Sequence, residues 1–82
     1  MRLDKYLKVS RIIKRRTVAN EACDAGRVCV NGKPAKASAT VKIGDIIEVR
    51  FGAGVFAARV ESVDEKVKKD GASLLYSVIK QD

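Results

Sequence analysis

The chain has 82 residues, 46% of them hydrophobic and 33% charged, and its formal net charge is +7. A chain of this size and composition is expected to fold as one small domain of modest stability. It has no apolar run near the ~20 residues of a membrane-spanning helix, and its charged N-terminus is unlike a signal peptide. We therefore expect a cytoplasmic protein.

The two cysteines, Cys23 and Cys29, do not predict a metal site. Zinc needs four ligands, and the chain contains no histidine to complete the set. Without a secretory signal the two thiols are expected to be reduced and partly buried. The sequence therefore predicts no metal and no cofactor.

The positive charge is confined to the first part of the chain. Residues 1–36 hold ten Lys/Arg and three Asp/Glu, whereas residues 37–82 hold seven of each. A basic surface that serves only solubility is usually mixed in sign, while a one-sided field attracts polyanions. Nucleic acid is therefore the favoured partner. An anionic membrane is the weaker alternative, because the first helix has too small an apolar face to insert.

Two short helices are predicted in the first third of the chain. Leu3, Tyr6 and Leu7 have the i, i+3, i+4 spacing of an amphipathic helix over residues 2–9. After a polar break at residues 10–11, a basic run leads into a second helix that ends before Gly26. The expected inward stripe of this helix consists of Val18, Ala19, Ala22 and Ala25.

Beyond Gly26 the hydrophobic pattern changes from the helical repeat to the alternation that is typical of β-strands. Residues 27–30 alternate, Asn31-Gly32 is a strong hairpin signal, and Pro34 excludes a central strand at that point. Residues 46–51 and 55–60 are predicted strands joined by a turn at 52–54. The polar stretch Lys66–Gly71 precedes an apolar element over 74–79, for which we favour a strand over a helix.

The predicted fold class is α+β, with two N-terminal helices packed on a small, mainly antiparallel β-sheet. We expect residues 1–51 to form an RNA-binding core with a helix-helix-hairpin arrangement. Residues 52–82 are expected to complete the sheet as a C-terminal extension of the same domain.

Catalysis is not expected. The commonest general base, histidine, is absent, and Cys23 falls on the core side of the second helix. Asp64 and Glu65 are better explained as a solvated face than as an acid–base pair. Gly52 and Gly54 fit a hairpin turn, because the Gly-Lys-Ser/Thr of a phosphate loop does not follow.

Two groups of basic residues are candidates for phosphate binding. Arg2, Lys5 and Lys8 are spaced about one turn apart on the first helix, and a second group crowds the start of the next helix. If the helices pack through Leu3, Leu7, Val18 and Ala22, both groups face the same side. The candidate RNA-binding residues are Arg2, Lys5, Lys8, Arg11, Lys14, Arg15, Arg16 and Lys36.

Asp4 has two interpretations. It is either a first-turn partner of the helix dipole, which we favour, or an anchor that orients Arg16 or Lys8 by ion pairing. Aromatic residues that could stack on bases are nearly absent, because Tyr6 is expected in the core and Phe51 and Phe56 in strands, and Tyr76 comes late in the chain. This argues against stacking on single-stranded bases and favours recognition of the shape and backbone of structured RNA.

Residues 1–51 resemble the RNA-binding domain named after ribosomal small-subunit protein four. In that family two helices and the following hairpin form the RNA-facing surface. One departure is Arg15, where many members have a serine, which adds charge and removes a capping hydroxyl. The resemblance is carried by Arg2-Leu3-Asp4-Lys5-Tyr6-Leu7, Arg16, Ala19, Gly26-Arg27-Val28, Val30-Asn31-Gly32, Ala37-Ser38, Val41 and Gly44-Asp45.

Within that group the chain is similar to standalone members, the RqcP family of bacterial ribosome-quality-control factors and the related fifteen-kilodalton heat-shock protein. The long basic tail of the heat-shock relative is missing, which favours the RqcP branch. The resemblance implies binding to large-subunit ribosomal RNA and peptidyl-site tRNA on obstructed subunits. It also implies a tailing partner protein that adds C-terminal alanine to stalled chains.

Two alternatives remain open. The chain could be a general ribosomal-RNA- or tRNA-binding factor for ribosome assembly or heat-shock rescue, or a protein-interaction adaptor acting through its C-terminal half. Off the ribosome we expect a monomer without a membrane association.

Overall fold

Two helices precede a five-stranded antiparallel sheet in the computed structural model, which describes residues 1–63 and 75–81. The helices are α1 (Leu3–Val9) and α2 (Arg16–Asp24). The strands are β1 (Val28–Val30), β2 (Lys33–Pro34), β3 (Ile46–Phe51), β4 (Gly54–Val60) and β5 (Tyr76–Gln81), and their order in the sheet is β2-β1-β3-β4-β5. The α+β class is confirmed, and the last element is a strand.

The N-terminus of α1 is closed by backbone from a distant loop. The N–H groups of Leu3 and Asp4 donate to the carbonyls of Ala39 and Ala37, at 2.7 and 3.1 Å. The Lys5 N–H donates to the carboxylate of Asp4 at 2.8 Å. Because the first N–H groups of a helix lack intrahelical partners, these bonds fix α1 against the loop of residues 37–39.

Helix α2 ends as the sequence predicts, but its inward stripe differs. Gly26 adopts a φ of +74°, and its N–H donates to the Cys23 carbonyl at 3.0 Å, in the manner of a Schellman cap. The buried residues of α2 are Ala19 and Cys23, one turn apart, whereas Val18 is 45% exposed. The predicted inward positions of Val18 and Ala25 are therefore wrong, because the true stripe is rotated by about one residue, or roughly 100°.

The first hairpin turns at Asn31-Gly32, as predicted. Both residues have positive φ, at +53° and +83°, which is the signature of a type I′ turn. The Asn31 amide also donates to Asp45 at 3.1 Å and accepts from the Ile46 N–H at 3.0 Å. Strand β2, which contains Pro34, lies at the sheet edge, as a proline requires.

The helices cover one face of the sheet, and the core lies between the two layers. Leu3, Tyr6 and Leu7 of α1 are fully buried there against strand residues such as Ile47 and Val60. The Tyr6 hydroxyl donates to the Leu75 carbonyl at 2.6 Å, which ties α1 to the chain segment that leads into β5. Burial raises the pKa of this hydroxyl, with smaller effects from Tyr76 and Glu61.

The second hairpin follows the sequence prediction closely. Phe51 pairs with Gly54, so the turn itself consists of Gly52 and Ala53. Four predicted features, the polar stretch Lys66–Gly71 and residues Asp64, Glu65 and Leu74, lie outside the described residues.

Candidate nucleic-acid interface

A buried carboxylate holds two arginines at the junction of α1 and α2. Asp4 is 2% exposed and accepts six hydrogen bonds. Arg2 donates from Nε at 3.2 Å and from Nη2 at 3.3 Å, and Arg16 donates from Nε at 3.3 Å and from Nη2 at 3.5 Å. The Asn20 amide donates to the same carboxylate at 3.3 Å. We call these four residues the Asp4 cluster.

The fold brings the members of the Asp4 cluster together from separate elements. Arg2 is the N-cap residue of α1, with extended backbone, so the prediction that it lies within the helix is wrong by one position. Arg16 is the first residue of α2, and Asn20 follows one turn later on the same helix face. Packing of α1 against α2 then places Asp4 beneath both guanidinium groups.

The electrostatics of the cluster favour an ionised Asp4. Burial by itself would raise the pKa of the Asp4 carboxyl. The Arg16 hydrogen bond, the Lys5 N–H and the charges of Arg16 and Arg2 together outweigh that effect and lower the pKa below its ordinary value. Asp4 is thus a fixed anion at neutral pH, and two cations around one anion leave a surplus positive charge.

The two guanidinium groups remain available to a ligand. The Arg2 and Arg16 side chains are 53% and 47% exposed. Each uses Nε and Nη2 on Asp4 and keeps its other N–H groups for further acceptors. An open cavity of about 550 Å³ lies above them, lined by Arg2, Asp4, Arg16, Thr17, Asn20 and Glu21. Planar donors held in this way suit the oxygens of a phosphate.

The other predicted cations lie around the helices, outside the Asp4 cluster. Lys5 and Lys8 are on α1, Lys14 and Arg15 directly precede α2, and all except the half-buried Lys5 are exposed. Lys36 is exposed beside Ala37, whose carbonyl closes α1. Arg11 lies just beyond the C-terminal end of α1, about 10 Å along the helix axis from Asp4.

Asp4 forms ion pairs, as in the interpretation of this residue as an anchor that orients basic side chains. Its partners are Arg2 and Arg16 rather than Lys8. Asn20 is a member that the sequence prediction missed. Its spacing of one turn from Arg16 on a predicted helix is the signal that could have identified it.

The two cysteines lie in the protein interior, apart from the Asp4 cluster. Cys23 and Cys29 are buried free thiols, and burial, followed by the charges of Asp4 and Asp24, raises the pKa of Cys23 to about 11. The described part of the chain brings together no group of three potential His, Cys, Asp or Glu metal ligands. Within residues 1–63 and 75–81, neither helix has the length and apolar character needed to cross a membrane.

Comparison with known proteins agrees with this geometry. The family model described as the S4 domain matches residues 1–47, which include the whole Asp4 cluster. This is the class of protein that the two helices, the hairpin and the clustered arginines define.

The full-length relatives narrow the class. The chain is 51% identical to the RQC P-site tRNA stabilizing factor of Listeria monocytogenes, over 100% of this chain and 89% of that protein. It is 49% identical to the protein of the same name from Bacillus subtilis, over 100% of this chain and 95% of that protein. The structure of Vibrio cholerae heat shock protein 15 superposes with a TM-score of 0.86 at 32% identity, covering 96% of this chain and 81% of that one. The chain therefore belongs to the family of the RQC P-site tRNA stabilizing factors, within the S4 domain proteins.

Proposed function

We propose that this protein is a non-catalytic RNA-binding factor of ribosome-associated quality control. It binds ribosomal RNA of the obstructed large subunit in the cytoplasm and stabilises peptidyl-site tRNA, which assists C-terminal alanine tailing of stalled chains. The observation that carries the proposal is the Asp4 cluster, in which two half-exposed arginines are fixed on one buried anion. The names of the full-length relatives support the same assignment.

The mechanism follows from preorganisation. A free arginine side chain loses rotamer freedom when it binds a phosphate, at a cost of about 0.5–1.5 kcal/mol. Arg2 and Arg16 are already held by two hydrogen bonds each, so part of that cost is met during folding. The exposed cations Lys8, Arg11, Lys14, Arg15 and Lys36, together with Lys5, extend the positive field around them. Asp4 has the role of an orienting residue, not of a ligand.

In this proposal the RNA partners bind the N-terminal part of the chain. Residues 1–51 are the proposed RNA-binding core, and residues 52–82 are its proposed sheet-completing extension. The protein is proposed to be a monomer off the ribosome and to meet a tailing partner protein on the large subunit.

A second candidate function, a protein-interaction adaptor, is favoured by one feature of the C-terminal half. Strand β5 is an edge strand of the sheet, and Val78 and Ile79 on it are exposed. Unpaired edges with apolar side chains are surfaces on which another chain can dock. A Val78→Ser, Ile79→Ser variant that keeps ribosome binding but loses tailing in cells would support this role. Normal tailing would exclude it.

Salt dependence tests the phosphate contacts. If about five phosphates are neutralised, the logarithm of the association constant should fall with a slope of about −4 to −5 against the logarithm of salt concentration. Arg16→Ala should weaken binding to purified large subunits by about 1–3 kcal/mol. The matched control is Arg59→Ala, which removes one exposed cation from β4 and should change binding little. A salt-independent affinity, or equal losses in the two variants, would contradict the assignment.

The preference for tRNA is tested separately. Large subunits with peptidyl-site tRNA should bind the protein more tightly than empty subunits at the same salt concentration. Equal affinity for the two would restrict the function to ribosomal RNA.

A further inference from the structure

Three aromatic side chains from three successive strands line one groove at the C-terminal end of α1. Phe51 ends β3, Phe56 lies in β4 and Tyr76 begins β5. The rings of Phe56 and Tyr76 meet edge to face, with centroids 5.9 Å apart and an interplanar angle of 76°. With Arg11, Ile12 and Gln81 they line a cavity of about 290 Å³, which we call the aromatic groove.

The floor of the aromatic groove continues the helix-covered face of the sheet. Phe56 pairs with Val49, which is 1% exposed in the core, and cross-strand partners point to the same face. The groove is thus a part of the core face that the helices leave open. Phe51 is 51% exposed there, so a ring face is available for stacking while its neighbours are fixed by packing.

Arg11 stands at the rim of the groove in an unusual backbone conformation. Its φ is +64°, in the left-handed region, where a residue that ends a helix is usually glycine. Its N–H donates to the Lys8 carbonyl at 3.1 Å. The Arg11 side chain is exposed, and among the described residues no carboxylate pairs with it. A guanidinium group is therefore free beside an aromatic surface.

We propose that the aromatic groove binds one unpaired RNA base, stacked on Phe51, while Arg11 binds an adjacent phosphate. The inference rests on the proposed function and adds a base-recognising site to the Asp4 cluster. The cavity is at the lower limit of the about 300–1,000 Å³ of small-molecule pockets, so it suits a single ring system.

The chemistry of the lining residues favours a nucleotide. Among residues 1–63 and 75–81, neither a carboxylate nor a second cation lines the groove, so Arg11 is the charged side chain of the described lining. The Gln81 amide can both donate to and accept from the edge of a base. Stacking on aromatic rings beside an arginine is the general mode by which unpaired nucleotides are bound.

The test separates base recognition from phosphate binding. The affinity of the full chain is measured by fluorescence anisotropy for a short oligoadenylate and for an abasic sugar-phosphate strand of equal length. The wild-type protein should prefer the strand with bases by about tenfold. Phe51→Ser, and Phe51→Leu, which keeps an apolar side chain, should both lose this preference while binding the abasic strand normally. Ile43→Ser, a change of an exposed apolar residue outside the groove, should retain it.

Arg16→Ala distinguishes this proposal from the proposed function. It should weaken binding to both strands by the same factor and leave the base preference unchanged. If it changes neither affinity, the role of the Asp4 cluster fails, whereas the base preference still reports on the groove. Equal binding of the two strands by the wild-type protein, or a preference that survives in both Phe51 variants, would overturn the groove proposal. So would loss of a co-purifying protein in Phe51→Ser with the base preference intact, which would assign the groove to a protein partner.

Discussion

Replacing Asp4 with asparagine separates the positioning of two arginines from their charge. The substitution raises the net charge from +7 to +8, so a purely electrostatic attraction to RNA would become stronger. In the folded protein, however, Asp4 accepts two hydrogen bonds from each of Arg2 and Arg16. An asparagine side chain keeps one acceptor oxygen and no charge, so neither guanidinium group retains the two charged hydrogen bonds that orient it.

The magnitude follows from the side chains that are freed. Ordering a long side chain on binding costs about 0.5–1.5 kcal/mol, which gives about 1–3 kcal/mol for the two arginines. The additional positive charge offsets a part of this loss. A net weakening of about 1–2 kcal/mol, or about 5- to 30-fold in affinity, is expected.

The assay is equilibrium binding to purified large ribosomal subunits at fixed salt concentration. The matched control is Asp24→Asn, which makes the same change of charge at the exposed end of α2. This control should bind as tightly as the wild-type protein or slightly more tightly. If Asp4→Asn also bound as tightly as the control, Asp4 would have no orienting role.

Three further predictions concern stability. The pKa of Asp4 is lower in the folded than in the unfolded chain, so the stabilisation that its charged form provides is present above pH about 4 and is lost as the pH falls through the folded-state pKa. The free energy of unfolding in urea should therefore decrease more steeply below pH about 4 for the wild-type protein than for Asp4→Asn. Parallel pH dependences of the two proteins would contradict this. Tyr6→Phe removes the 2.6 Å hydrogen bond to the Leu75 carbonyl, which keeps the N–H groups of Glu61 and Ser62 as donors. The free energy of unfolding should therefore fall by about 0.5–1.5 kcal/mol, whereas Tyr76→Phe should have a smaller effect. Gly26→Ala meets no atom within 4 Å but must adopt a φ of +74°, so thermal unfolding should show a loss of about 1–2 kcal/mol, and an unchanged melting temperature would refute the strain.

Local signals in the sequence predicted most of the fold. Asn31-Gly32 specifies its own turn, because both residues tolerate positive φ, and Gly26 ends α2 for the same reason. The alternating runs give β3 and β4 with bounds within one residue of those predicted. These features depend on neighbours in the chain, so a sequence pattern is enough to identify them.

Features that depend on packing were harder to predict. Val18 is exposed although the predicted stripe turned it inward, because the rotation of a short helix about its axis is set by contacts with α1 and the sheet. The Asp4 cluster joins positions up to 16 residues apart. A charge pattern can place arginines near each other, but it does not specify which of them the carboxylate holds.

The aromatic residues illustrate the same point. Their small number and their places in the sequence argue against a stacking surface, yet antiparallel pairing brings Phe51, Phe56 and Tyr76 to one groove. Strand register, which sets this arrangement, is a property of the completed sheet.

A structure of the protein bound to a large ribosomal subunit that carries peptidyl-site tRNA, determined by cryo-electron microscopy, tests the central claim most directly. We predict that Arg2 and Arg16 keep their hydrogen bonds to Asp4 and that their remaining N–H groups lie within hydrogen-bonding distance of RNA phosphate oxygens. A complex in which both guanidinium groups face solvent, with the RNA on another surface of the protein, would contradict the account.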